Sequence, residues 1–421
     1  MINGFVTRKL MRRFRDSTEV KTDYTQGVLG GNETLTRSAG SIYYFNGSGI
    51  LTATGDNVAA FTSNGLFIEG QATSLIAAAD YRNFAVWTAT GVTMVASTPT
   101  GIDGTTLTSG KNEIKEDATL GEHRELKAFT ATTAAKQSQM IAVKRGTGTR
   151  HIQVRLNNAI DGNYGIVAYN LDTLAVIGSL TGSYSTAYVK GSYTIIELVA
   201  TNVTTGAQNF IVNMHNGTTN SYTGDNTATL ILDWAQVVTS GRAESHVQGG
   251  ATRYPSFINR PWIGAVNNFW AYVDMYTKHD RSGTSALIYR IACIFNSSTN
   301  HVELYFQDTT GVIRLKRRLS GIDTFATTAA IPYTRGDRLR CLLSIDNVNG
   351  MVVTINHSNT EYTASVASNT ANVPALSTSG TKFNLLGYDP SFDRIPNGEV
   401  PIYNIGTGIL TLNQRRAMVG L

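Results

Sequence analysis

Ile152-Gln153-Val154-Arg155-Leu156 alternates apolar and polar residues without a break. A side-chain period of two puts Ile152, Val154 and Leu156 on one face of a strand and Gln153 and Arg155 on the other, so one side meets a core and the other meets water. Outward from this stretch, strand-like runs recur on both sides: Ser138 to Val143, Gly165 to Tyr169, Ala187 to Val199, Gln208 to Met214 and Thr227 to Val238. Runs of this length and spacing are the pattern of antiparallel sheets packed face to face. The composition agrees, because 40 Gly among 421 residues, with abundant Thr, Ser and Asn, suits short strands joined by turns and disfavours a helical bundle. The expected fold class is all-β, with two antiparallel β-sandwich domains preceded by a short basic N-terminal helix or arm.

A chain of this length exceeds one ordinary core, and 42% hydrophobic residues with 15% charged exclude disorder. Before the central runs, Thr34 to Arg37, Ser41 to Asn46 and Gly65 to Gly70 read as short strands with an Asn46-Gly47 turn. Gly241 to Pro261 contains Gly249-Gly250, Pro255 and Pro261 and reads as a linker. Strands then resume at Phe269 to Tyr276, Ala286 to Phe295, Val302 to Gln307, Val312 to Lys316, Arg338 to Ile345, Met351 to Ile355 and Phe383 to Leu386, with Asn349-Gly350 marking a hairpin. Thr411-Leu412-Asn413-Gln414 is a capping box that starts a helix of one or two turns.

The charge is concentrated. Arg8, Lys9, Arg12, Arg13 and Arg15 equal the whole formal excess of +5, so the remaining 30 basic and 30 acidic residues balance. This disfavours nucleic acid as a main partner, since no basic surface runs along the body. Val6, Leu10 and Phe14 recur at helical spacing, and with the basic residues they make an amphipathic segment suited to an acidic groove on another protein subunit. No run approaches the roughly 20 apolar residues of a membrane-spanning helix, and no signal peptide is expected. Cys293 and Cys341 lie in apolar strands and read as core thiols.

Catalytic signals are weak. The seven histidines, His123, His151, His215, His246, His279, His301 and His357, show no metal-binding spacing, so neither a metal nor another cofactor is expected. No nucleophile elbow or phosphate loop is present. Asp117, Glu122, Asp225 and Asp233 are the acids that a glycosidase would have to bring together, and solvated or turn-forming roles fit them better. Arg335-Gly336-Asp337 reads as the turn before a strand, and the sequons at Asn46, Asn202 and Asn216 decide nothing. Aromatic residues are the better clue to binding, with 19 Tyr and 4 Trp. Trp87, Trp234, Trp262, Trp270, Tyr164, Tyr184, Tyr188 and Tyr222 are candidates for sugar stacking or protein contact. Core packing is favoured for Trp234, and Tyr184 and Tyr222 in expected loops are the candidate glycan contacts.

Thr34-Leu35-Thr36-Arg37-Ser38-Ala39, Tyr43 to Gly49, Asn57 to Phe61 and Gly65 to Leu75 together resemble the leading segment of tailed-bacteriophage virion proteins, with Ser74 where Asn is usual. Phe84-Ala85-Val86-Trp87-Thr88, Asp103-Gly104-Thr105 and Leu230 to Val237 are similar to landmarks of a carbohydrate-binding-module-like jelly roll. From about Trp262 the chain resembles concanavalin-like or laminin-G-like sandwiches. The resemblance implies an arm at 1–33, a β-rich leading segment at 34–75, a jelly roll at 76–252, a linker at 253–261 and a second sandwich with a short C-terminal helix at 262–421. It further implies a non-enzymatic fibre, spike or collar component of a virion, a homotrimer docked on other virion proteins through Val6, Arg8, Lys9, Leu10, Arg12, Arg13, Phe14 and Arg15. Host surface polysaccharide is the further expected ligand. The alternatives are a capsid decoration protein or a glycan-degrading tailspike-type enzyme, although the long β-helix with catalytic acids is missing.

Overall fold

The computed structural model describes residues 20–37, 42–46, 48, 50–55, 57–68, 72–131, 137–158, 162–182, 184–200, 203–239, 246–253, 256–262, 268–277, 288–307, 310–334, 336–367, 381–386 and 398–421. The basic segment with Val6, Arg8, Lys9, Leu10, Arg12, Arg13, Phe14 and Arg15 lies outside them. Strands dominate the described residues, and they pair antiparallel. The chain divides into two compact units interleaved in sequence: a terminal unit of Met1–Ala39, Asp56–Gln71 and Tyr254–Leu421, and a central unit of Gly40–Gly55 and Ala72–Arg253.

In the central unit, two six-stranded sheets face each other. One, here the face sheet, runs in the order Val176–Thr181, Gly162–Tyr169, His151–Asn158, Gly206–His215, Arg124–Ala131, Thr88–Thr90. The other, the back sheet, runs Tyr184–Lys190, Tyr193–Ala200, Gln137–Arg145, Thr229–Val238, Glu113–Glu116, Val92–Met94. Ile152, Val154 and Leu156 point inward as the alternation requires, and meet Ile141, Val143, Ile196, Leu198, Leu230 and Leu232 of the back sheet in one buried cluster. The single run expected over Ala187 to Val199 is two strands, because Gly191 takes a left-handed φ of 58° and turns the chain back on itself.

A bulge marks the back sheet. Met140 stands opposite Gln236 but Ala142 opposite Asp233, and Trp234 adopts a φ of 46° that an aromatic residue rarely takes. The bulge turns both Asp233 and Trp234 to the side away from the core. There Trp234 meets Tyr43 and Tyr81 edge-on at 4.7 and 4.9 Å. Buried Asp233 accepts from Arg82 Nε at 2.7 Å and from the Ile102 amide at 2.9 Å, while Arg82 reaches on to Asp103. These contacts hold the hairpin Ile42–Phe45/Leu51–Thr54 and the Ile102 loop against the sheet.

In the terminal unit, one sheet is ordered Thr360–Val366, Gly350–His357, Arg338–Asp346, Phe269–Thr277, Gly398–Thr407, Gly65–Ile68, Ala60–Thr62, with Val20–Asp23 also paired to Gly398–Thr407. The opposing sheet is ordered Thr34–Arg37, Ser256–Pro261, Lys382–Leu385, Ile288–Ser297, Asn300–Gln307, Val312–Leu319, Ile322–Ala330. Ser256–Pro261, within the stretch that reads as a linker, is thus an interior strand: Ile258 is buried in the core and opposite both Leu35 and Leu385. The hairpin at Asn349-Gly350 and the burial of Cys293 and Cys341, neither in a disulfide, follow the sequence reading. So does the helix Leu412–Val419, in which Thr411 and Gln414 cap each other reciprocally. That helix packs through Val419 over Trp270, Tyr272 and Leu342, on the side of the sheet away from the core. Gly406 is required beside it, since a Cβ there would fall 2.3 Å from the Trp270 indole.

Candidate functional site

The outward side of the face sheet is built by register. Arg124 stands opposite Asn213, Asn213 opposite Gln153, and Gln153 opposite Ala168. Two residues along each strand, Leu126, Ile211, Arg155 and Ile166 form the next row, followed by Ala128, Asn209 and Asn157. Each alternates with a core residue, so this side is one surface of guanidinium and amide groups with small apolar residues between them. Its floor is withdrawn from water although it points away from the core: Asn213 is 0% exposed and Ile211 1%.

Glu122, from the short strand Leu120–Glu122, organises the rim. It accepts from Arg124 at 2.6 Å, from Arg155 at 3.5 Å and from the Asn220 amide at 2.9 Å. Two guanidiniums against one carboxylate leave a single positive charge. On the floor, Asn213 Nδ2 donates to Gln153 Oε1 at 3.2 Å, and Asn209 Nδ2 to Asn157 Oδ1 at 3.3 Å. Asn213 Oδ1, Arg124 Nε and Arg155 Nε are buried with no partner among the described residues. A buried polar atom left without a partner costs roughly 1–3 kcal/mol, and native structures hold few of them. Planar amides and guanidiniums with spare donors and acceptors are the groups that hydrogen-bond vicinal hydroxyls or fork onto a carboxylate.

The other candidates are placed differently. Tyr222 is buried at 7% exposure in the strand Ser221–Thr223, where it pairs with Gly121. Its hydroxyl donates to Glu116 at 2.7 Å, its ring lies under the Arg150 guanidinium, and burial raises its phenol above the ordinary value. It is therefore an internal staple and not an exposed sugar platform; the flanking Ser and Thr that suggested a loop are strand residues. Tyr184 opens the strand Tyr184–Lys190, and its side chain lies outside the described residues. All four tryptophans are buried, as favoured for Trp234, and so is Tyr164; Tyr188, half-buried, donates to Glu197. Of the acids, Asp233 is locked to Arg82, Asp225 shares Arg150 with Glu116, Asp117 caps the Thr119 turn, and Glu122 is the one on the sheet face. Asp337 accepts from the Thr334 amide and from His357, as the turn reading requires; Arg335 lies outside the described residues. Among the described residues no cluster of His, Cys, Asp and Glu is placed to hold a metal ion, and no helix is long and apolar enough to cross a membrane.

Gln153 and Arg155 were visible as the wet side of an alternating strand. Arg124 was not, because Arg124-Glu125-Leu126-Lys127-Ala128-Phe129 lacks a clean apolar alternation, and Asn213 was hidden inside an apolar run.

No protein family and no curated protein matches this chain. Among solved structures, one similarity is to the Ruminococcus gnavus IT-sialidase CBM40 bound to alpha2,3 sialyllactose. It covers 37% of this chain and 84% of that one at 15% identity, with a TM-score of 0.29.

Proposed function

We propose that this chain is a non-enzymatic, surface-displayed binding protein of a virion, and that the outward side of the face sheet holds a hydroxyl-rich saccharide of a host surface. The observation that carries the reading is the pair of part-exposed guanidiniums, Arg124 and Arg155, held by Glu122 over an amide floor of Asn213, Gln153, Asn209 and Asn157. Saccharide hydroxyls would bond the part-exposed guanidiniums of Arg124 and Arg155 above that floor. The test is a titration of the full chain with a panel of bacterial surface polysaccharides, repeated with Arg155→Ala and Arg124→Ala. Wild-type binding weakened at least tenfold by either change is expected, since a hydrogen bond to a charged group contributes about 1.5–3 kcal/mol. Undiminished binding by both variants would refute the assignment.

The virion part of the proposal rests on the resemblance of the leading segment and on the isolated +5 arm. In it, Met1 to Arg15 docks on another virion protein and the body is displayed as a homotrimer. Deleting that arm should abolish incorporation into particles, and normal incorporation would overturn the docking role. Release of new reducing ends from a bound polysaccharide would replace the non-enzymatic reading with the glycan-degrading one. Localisation on the head would favour a capsid decoration protein.

A further inference from the structure

The terminal unit carries a second, unrelated constellation. On the strand Arg338–Asp346, Leu339 and Cys341 enter the core, so Arg338 and Arg340 share the opposite face. Arg340 stands in register between Asp274 and Asn356. Asp274 is nevertheless taken by Arg338, whose Nε and Nη2 hold its two oxygens at 2.8 and 2.5 Å while the guanidinium lies over the Tyr276 ring. Arg340 is left with one long bond, from Nη1 to the Val419 carbonyl at 3.4 Å, and no ion pair to a carboxylate of the described residues. Asn356 fixes the same helix end, donating to the Val419 carbonyl at 2.8 Å. Next to it the hairpin turn Ser358-Asn359 runs through left-handed φ values of 51° and 63°.

These residues line a half-open surface pocket of about 190 Å³ formed by Arg338, Arg340, Asn356, Ser358 and Asn359. A single water needs about 10–15 Å³ of such space, so the pocket exceeds what a bare ion or a bridging water needs. It leaves room for a polyatomic ligand such as one sugar ring. Two guanidiniums against the Asp274 carboxylate leave one positive charge at its wall, and a planar guanidinium fork pairs with a carboxylate through two parallel bonds. The Ser358 hydroxyl and the Asn359 amide supply the neutral donors and acceptors that ring hydroxyls require.

The geometry points to a binding site for one acidic sugar residue, its carboxylate on Arg340 and its hydroxyls toward Ser358 and Asn359. This site is independent of the face sheet and stands or falls without it.

The full chain is titrated with glucuronic and galacturonic acid, with glucose as the neutral counterpart and sodium sulfate as the bare anion. At least one acid is expected to bind, with glucose tenfold or more weaker and sulfate weaker than the acid. Arg340→Gln should weaken the acid at least tenfold, the size of a lost charge-assisted bond. Ser358→Gly keeps a backbone that glycine adopts freely, so it should weaken the acid severalfold while leaving the melting temperature in place. Arg155→Ala should change nothing here, which separates this site from the face sheet. No binding of either acid at millimolar concentration, equal binding of glucose, sulfate binding as well as the acid, or an Arg340→Gln chain with wild-type affinity would each overturn the site. If Arg340→Gln fails to fold, the Ser358→Gly result decides: unchanged affinity refutes the proposal.

Discussion

Glu125 gives the central unit a stability that falls as pH rises. It lies on the strand Arg124–Ala131 opposite Val212 and Ala89, and its parity with Phe129 turns it inward. It is 1% exposed, and its Oε2 has no partner among the described residues. Burial pushes the carboxyl from 4.5 up to about 8. Between those values the folded state keeps a proton that the unfolded state has released. The stabilisation is therefore complete below about pH 4.5, declines as pH rises, and is gone above about pH 8. At about 1.4 kcal/mol per pH decade, the penalty for a glutamate at this position is about 3 kcal/mol at neutral pH and about 4–5 kcal/mol above pH 8. Glu125→Gln has the same shape and cannot ionise. Urea melts of both chains across pH 4 to 8.5 should coincide within about 1 kcal/mol at the acid end and diverge by about 3 kcal/mol at neutral pH in favour of the glutamine. Parallel curves, or a Glu125 carboxyl that titrates near 4.5 by carbon NMR, would refute the reasoning.

Other perturbations test separate parts of the fold. Gln139 is fully buried with both amide atoms unpartnered among the described residues, so Gln139→Met should stabilise the central unit by about 1–3 kcal/mol in a urea melt. Arg82→Gln strands the buried Asp233 carboxylate and should cost about 3–5 kcal/mol, with Trp234 fluorescence reporting the loosened bulge; a cost below about 1 kcal/mol would refute the lock. Thr411→Ala breaks the capping box and should cost about 1 kcal/mol, read as faster amide exchange at Gln414.

Strands with a strict two-residue rhythm announced themselves. Ile152 to Leu156, Val302 to Gln307 and the Asn349-Gly350 hairpin all form where their side chains demand. Arg124–Ala131, Val176–Thr181, Ile322–Ala330 and Thr360–Val366 escaped notice. The last three lie at sheet edges, where one side of the pairing faces solvent and polar residues suffice. The face-sheet site was half legible: Gln153 and Arg155 signalled a wet side, but their alignment with Arg124 and Asn213 depends on strands paired across long stretches of chain. Tyr222 misled because a tyrosine among Ser and Thr looks exposed, whereas Glu116 supplies its hydroxyl with a buried acceptor.

The interleaving of the two units sets an order of events during synthesis. The central unit has all its strands once residue 253 has emerged, but Gly65–Ile68, paired early with Ala60–Thr62, finds its second partner only when Gly398–Thr407 exists. At translation rates of roughly 5–20 residues per second, Leu66, Phe67 and Ile68 wait on the order of tens of seconds with only the short strand Ala60–Thr62 beside them and their other edge open. A growing chain must be shielded by a chaperone over that interval or risk capture by its neighbours on the same polysome, and a ribosome stalled before residue 398 leaves one finished sandwich tethered to the unclosed half of another.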